Sequence, residues 1–265
     1  MAELVTILKV FLSMLIITAV GTEVTRSCPF DKISTLSSPV YSKHTILMKE
    51  YFDSFNCSFE VHELAEDLKF VKKKHKEHNK FSGNDVKMRS VLTSVLTTPT
   101  KSTILWLDAT TVMSPFKIYD LEKMLLLLRE NDIIVARESD KAKVNIGVLL
   151  LRNTSSLRKF LSTILSNIKD DEWDQGIAAC MLNRKTKYDC KNVQIDHDIR
   201  YDFFPTSLVR VVGIFTHADC RSLLKRLGRQ KVNAPQFIKL VGTKRARDVC
   251  IQHYDKSIFL GRPEP

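Results

Sequence analysis

Acidic residues are outnumbered in this 265-residue chain: 30 Asp or Glu stand against 41 Lys or Arg, for a formal net charge of +11. Glycine and proline are sparse, at 8 each, which excludes a collagen-like or low-complexity chain. The six cysteines contain no Cys-x-x-Cys pair, so neither a zinc ribbon nor a thioredoxin-like motif is expected. Only one long apolar run exists, at the very start, and that excludes a polytopic membrane protein. The basic stretch Arg221 to Arg247 holds nine Lys or Arg, no Asp or Glu and a single aromatic, Phe237. Without interleaved aromatics, single-strand stacking is poorly supported and nucleic acid is not expected as a partner. A solvated basic surface is the simplest reading of that stretch, with phosphates or anionic lipid as the alternatives. Against these shortages, 44% of the residues are hydrophobic, enough for a sizeable core.

An even cysteine count suits disulfides in an oxidising compartment, and Cys180 with Cys190 makes a loop-closing pair. The sequons Asn56-Cys57-Ser58 and Asn153-Thr154-Ser155 agree with such a compartment. Leu4 to Val20 is apolar apart from Thr6, Lys9, Ser13 and Thr18, and is near the lower length limit for spanning a bilayer. Three readings of this segment stay open: a signal peptide with the small residues Ala19 and Gly21 before a possible cut, an uncleaved anchor, or a buried strand over Met14 to Val20. The first two place the protein in the secretory pathway, in the Golgi lumen or membrane, or make it secreted, with membrane contact through residues 4–20.

Apolar spacing predicts helices over Thr45 to Phe55, Asp85 to Leu96, Asp120 to Arg129, Ser155 to Ile168 and Asp174 to Leu182. Strands are expected over Cys57 to Leu64, Thr103 to Leu107, Asp132 to Ala136, Val144 to Leu151 and Leu208 to Phe215. Thr103 to Leu107 is apolar after its first residue, as in a strand buried on both faces. Alternating strands and helices indicate an α/β sheet covered on both sides. Ligands in such sheets bind beyond the carboxyl ends of the strands.

The polar residues at those ends carry the chemistry. Asp108 directly follows the most apolar strand, where its carboxylate could hold a hard divalent cation or cap a turn. Asn145 and Gly147 begin another strand, as a small-residue approach to the backbone or as a bulge. Asp174 and Gln175 open a helix, where Asp is also an ordinary cap. His217 ends a late strand, and Lys87 lies on a helix.

Taken in order, Lys87, Leu105-Trp106-Leu107-Asp108-Ala109-Thr110, Asn145-Ile146-Gly147, Asp174-Gln175 and His217 resemble the nucleotide-sugar glycosyltransferases of GT-A fold. The likeness is to the galactosyl/mannosyltransferase and nucleotide-diphospho-sugar transferase families, over about Lys43 to Cys220. The resemblance implies a single GT-A-like, Rossmann-like mixed sheet flanked by helices. Residues 1–21 would form a signal, anchor or first strand, 22–228 the transferase domain and 229–265 a basic C-terminal extension. It further implies transfer of a hexose from a nucleotide-diphosphate sugar to a glycan or glycoprotein acceptor, assisted by Mn(II) or Mg(II). Asp108, Thr110 and His217 would hold the metal, Thr110 standing where the family has a second Asp, with Asp219 as a substitute ligand. Lys87, Asn145 and Gly147 would meet the donor, and Asp174 and Gln175 would act at the reacting sugar. Thr18 and Ala19, ending a first strand over Leu15 to Ala19, would meet the nucleotide. The alternatives are a catalytically silent relative that binds a nucleotide sugar or glycan, and a basic-patch protein that binds nucleic acid or anionic lipid through Arg221 to Arg247.

Overall fold

A computed structural model describes residues 28–64, 83–113, 121–138, 143–168, 174–184, 186, 189–228 and 235–254. Six strands form the main sheet: β1 (Lys32–Ser37), β2 (Phe59–Glu63), β3 (Thr103–Leu107), β5 (Ile133–Glu138), β6 (Lys143–Arg152) and β7 (Tyr201–Phe203), in the spatial order β2-β1-β3-β6-β5-β7. β1 pairs in parallel with β2 and β3, and β5 with β7, while β6 runs antiparallel to both of its neighbours. A second sheet has the order β4-β9-β8, from β4 (Thr111–Met113), β8 (Val209–Ile214) and β9 (Phe237–Gly242).

Period-two alternation along β3 builds both sides of the main sheet. Ile104 and Trp106 face a core shared with α2 (Gly83–Leu96), α4 (Ser155–Asn167) and α5 (Asp174–Met181). Leu105 faces the other core, shared with α1 (Ser42–Asp53) and α3 (Leu121–Leu127) through Met48, Phe52 and Met124. α4 shows why the apolar spacing works. Its Leu157, Phe160, Leu161 and Ile164 are buried as one stripe, and Thr154 caps it by accepting from the Leu157 N–H at 3.1 Å.

The second sheet alternates in the same way. Ile238 and Leu240 pack toward α6 (His217–Gly228) and α7 (Lys244–Tyr254), whereas Phe237 joins the core of the main sheet. Lys239 therefore shares the face of Phe237, turned toward the main sheet. The segment 229–265, expected as a basic extension, contributes β9 as the middle strand of this sheet and α7 behind it. The chain closes there because strands β4 and β8 would otherwise lack a partner between them.

Disulfides join Cys28 to Cys57, Cys180 to Cys190 and Cys220 to Cys250. The expected Cys180–Cys190 bridge is among them. Among the described residues no helix is long and apolar enough to cross a membrane. Leu15 to Ala19, with the expected donor contacts Thr18 and Ala19, lie outside the described residues. The place of the first strand beside β3 belongs to Lys32–Ser37. Its sequence Lys-Ile-Ser-Thr-Leu-Ser reads as polar, yet Ser34 and Thr35 are fully buried.

Candidate active site

Asp108 leaves β3 at its carboxyl end, and the turn that holds it is closed on three sides. Its backbone N–H donates to the Gly147 carbonyl at 2.8 Å, and its own carbonyl accepts from the Thr111 N–H at 2.9 Å. The Trp106 indole N–H donates to Asp108 Oδ1 at 3.2 Å. The carboxylate is thereby aimed before any ligand arrives.

Two ammonium groups converge on it. Lys239 Nζ lies 2.6 Å from Asp108 Oδ2 and also donates to Thr110 Oγ1. Lys87 Nζ, from α2, lies 3.4 Å from Asp108 Oδ1 and 3.2 Å from Asp174 Oδ2 at the start of α5. Burial would raise the Asp108 carboxyl, but Lys239 and Lys87 outweigh it and hold the group below its ordinary value. Burial would lower the Lys87 ammonium, and Asp108 with Asp174 reverses that and holds it up. Lys239 behaves differently. Burial pulls it down, Asp108 restores only part, and repulsion from Lys87 and Arg247 adds to the depression.

β9 delivers Lys239 to this point through its register. Lys239 pairs with Thr111 across the antiparallel ladder, and the next N–H, of Leu240, donates to the Thr110 carbonyl at 3.0 Å. Gly147 leaves room for the lysine stem. A Cβ on Gly147 would stand 2.7 Å from Lys239 Cδ and 2.8 Å from Asp108 Oδ2. The expected bulge is present too, since the β5–β6 register shifts between Val135 and Ala136, opposite this part of β6. Asn145 is buried, and its Oδ1 accepts from the Gly147 N–H at 2.9 Å. Gln175 Nε2 donates to Glu138 Oε2 at 2.9 Å, and Asp174 Oδ1 accepts from the Gln175 N–H at 2.8 Å. Lys87, Asp108, Thr110, Gly147 and Asp174 thus meet as the sequence order suggested.

His217 does not join them. Its ring meets His253, with centroids 5.2 Å apart, at the exposed start of α6. Asp219 is a helix cap: its Oδ2 accepts from the N–H groups of Phe215 and Thr216, while Thr216 Oγ1 accepts from the Asp219 N–H. This reciprocal arrangement satisfies donors that the first helical turn leaves open. The expected metal set is therefore incomplete. Asp108 offers one carboxylate and Thr110 a neutral hydroxyl, and an ammonium already bonds both. Among the described residues no group of three or more His, Cys, Asp or Glu side chains could hold a metal ion. The residues present do not fit Mn(II) or Mg(II), which favour several oxygen donors, carboxylates foremost.

Lys239 was not expected as a site residue because it sat within the basic stretch. Its one signal is a single charge inside Phe237-Ile238-Lys239-Leu240-Val241, where an apolar strand would place it in the interior. Tyr41 is a further neighbour, donating to Asp248 Oδ1 at 2.6 Å. Burial and that bond push its phenol well above the usual range.

A glycosyltransferase involved in the glycosylation of the major capsid of PBCV-1 matches with a TM-score of 0.50 and 15% identity, over 83% of this chain and 98% of that one. The fold is that of GT-A glycosyltransferases. Mouse xyloside xylosyltransferase 1 is similar at a TM-score of 0.41 and 12% identity, over 81% of this chain and 98% of its own. The galactosyltransferase LgtC is similar at 0.46 and 8%, over 88% and 97%. No family model and no curated protein matches the sequence. Within the GT-A frame, the cluster around Asp108 lies at the carboxyl end of β3, where a strand-end cleft is expected.

Proposed function

We propose that this chain is a glycosyltransferase that moves a hexose from a nucleotide-diphosphate sugar to a glycan or glycoprotein acceptor. The observation that carries the reading is Lys87, whose ammonium bridges Asp108, at the end of β3, and Asp174, at the start of α5, in a GT-A fold. In such a transfer the bond from sugar C1 to the diphosphate oxygen breaks and its electron pair stays on the phosphate. An acceptor hydroxyl bonds to C1, and its proton passes to the released diphosphate. Negative charge grows on the leaving oxygen, and a preorganised ammonium in a partly dry site stabilises that growth strongly. Asp174, buried and paired with Lys87, is suited to orient the sugar or face the positive charge developing at C1. Gln175 braces the start of α5 through Glu138.

Three disulfides and the exposed sequon at Asn56 support an oxidising, secretory compartment such as the Golgi lumen. The test is release of nucleoside diphosphate from a panel of nucleotide sugars by the full chain, with and without manganese and with glycan acceptors. Turnover of at least one donor, lost in Lys87→Met, is the expected result. Tight binding of a nucleotide sugar with no turnover would mark a glycosyltransferase-like binding protein, and no binding of any would refute the reading.

A further inference from the structure

The clearest departure from a metal site is the position of Lys239. We propose that its ammonium takes the place of a divalent cation and binds the donor diphosphate directly, so that this chain takes its donor without metal. The inference rests on the glycosyltransferase reading above and deepens it.

Charge bookkeeping supports the substitution. Two carboxylates around a divalent cation sum to zero. One carboxylate, Asp108, with one ammonium, Lys239, also sums to zero. Thr110 in the second acidic position and Lys239 between the two side chains are thus matched changes. The site offers a diphosphate the same net charge by either route. Thr110 keeps a role in this arrangement, because its hydroxyl oxygen accepts from Lys239 Nζ.

Geometry supports it as well. An ammonium has three N–H donors. Asp108 and Thr110 take two, and among the described residues the third has no partner, which leaves one for a phosphate oxygen. Lys87 stands on the other side of Asp108 and adds a second cation. The charge of Arg247 is felt at Lys239 and Tyr41, and its buried Nε has no hydrogen-bond partner among the described residues. Two ammonium groups beside Asp108 suit a doubly charged diphosphate, and charge-assisted hydrogen bonds to phosphate are among the strong ones. The same placement disfavours a metal. A divalent ion on Asp108 would have to displace an ammonium 2.6 Å from Oδ2, whose stem is confined against Gly147.

Calorimetric titration of the full chain with UDP and GDP, in EDTA and in excess manganese, tests this. At least one nucleotide should bind in EDTA, with an affinity that manganese changes by less than about threefold, and Lys239→Met should weaken it by about tenfold or more. Binding that appears only with manganese overturns the inference while leaving the glycosyltransferase reading in place. Full affinity in a Lys239→Met variant with a cooperative thermal transition does the same. If that variant does not fold, the comparison of EDTA with manganese on the wild type decides alone. Failure of the folded wild type to bind either nucleotide under both conditions overturns the reading and the inference together.

Discussion

Lys239 and Asp108 are 131 positions apart in the chain and meet at 2.6 Å. Their contact joins the second sheet to the carboxyl end of β3. It is a largely buried ion pair, the lysine side chain 6% and the aspartate side chain 19% exposed.

Asp108 would be expected from sequence alone to be replaceable without harm to the fold. The contacts argue otherwise. Asp108→Ala leaves the Lys239 ammonium buried without its carboxylate while Lys87 keeps Asp174, and removing one partner of such a pair costs about 3 kcal/mol or more. Urea unfolding should show that loss along with loss of nucleotide binding. Unchanged stability would mean that Lys239 finds another partner.

Thr110→Asp, on a metal reading, should raise manganese affinity. With Lys239 in place the new carboxylate should pair with the ammonium, and manganese should stay unbound. Combining Thr110→Asp with Lys239→Ala removes the competitor and leaves two carboxylates. Manganese titration followed by electron paramagnetic resonance should detect binding in the double variant alone.

Stability should fall in acid. The Asp108 carboxyl is held below its ordinary value by Lys239 and Lys87 despite burial, so its contribution is full above the ordinary carboxyl range, about pH 4. It is lost as the pH drops through the depressed value, because the unfolded chain takes up the proton first. Lys87, held above its ordinary value, contributes fully below about pH 10 and loses that contribution as the pH rises through its raised value. The contributions of these two groups to the melting temperature should fall away below about pH 4 and above about pH 10. Asp108→Asn should flatten the acid limb and Lys87→Met the alkaline one.

Gly147→Ala places a methyl group against the Lys239 stem and Asp108 Oδ2. The flexible lysine should yield before the backbone does, so the fold survives and the ammonium shifts. A loss of nucleotide affinity of about tenfold, with near-native melting, is the expected outcome.

The two sequons should differ. Asn56 is exposed on the turn before β2, whereas Asn153 is buried and its Nδ2 donates to the carbonyls of Val95, Thr98 and Pro99. Expression through a secretory pathway should give at most one N-glycan, at Asn56. Glycopeptide mass spectrometry showing a glycan on Asn153 in folded protein would contradict this placement.

Local pattern determined much of this protein. Helices α1, α2, α4 and α5 and strands β3, β5 and β6 follow from apolar spacing, because burial of one stripe or two faces leaves a period in the chain. Asp108 and Asp174 could be named because each sits at the boundary of such an element, whereas Lys87, inside α2, was named only through the resemblance in the order of motifs. Tertiary structure decided the rest. β1 carries too few apolar residues to announce itself, since its Ser34 and Thr35 are buried by the neighbouring strands and by hydroxyl contacts such as Ser34 to Glu60. His217 matched the expected order of motifs, yet its helix start faces His253 and solvent. The residue that does reach Asp108 is Lys239, brought there by the pairing of β9 with β4. Which side chain fills a position between two sheets depends on contacts between distant segments, and no local period in the chain records them.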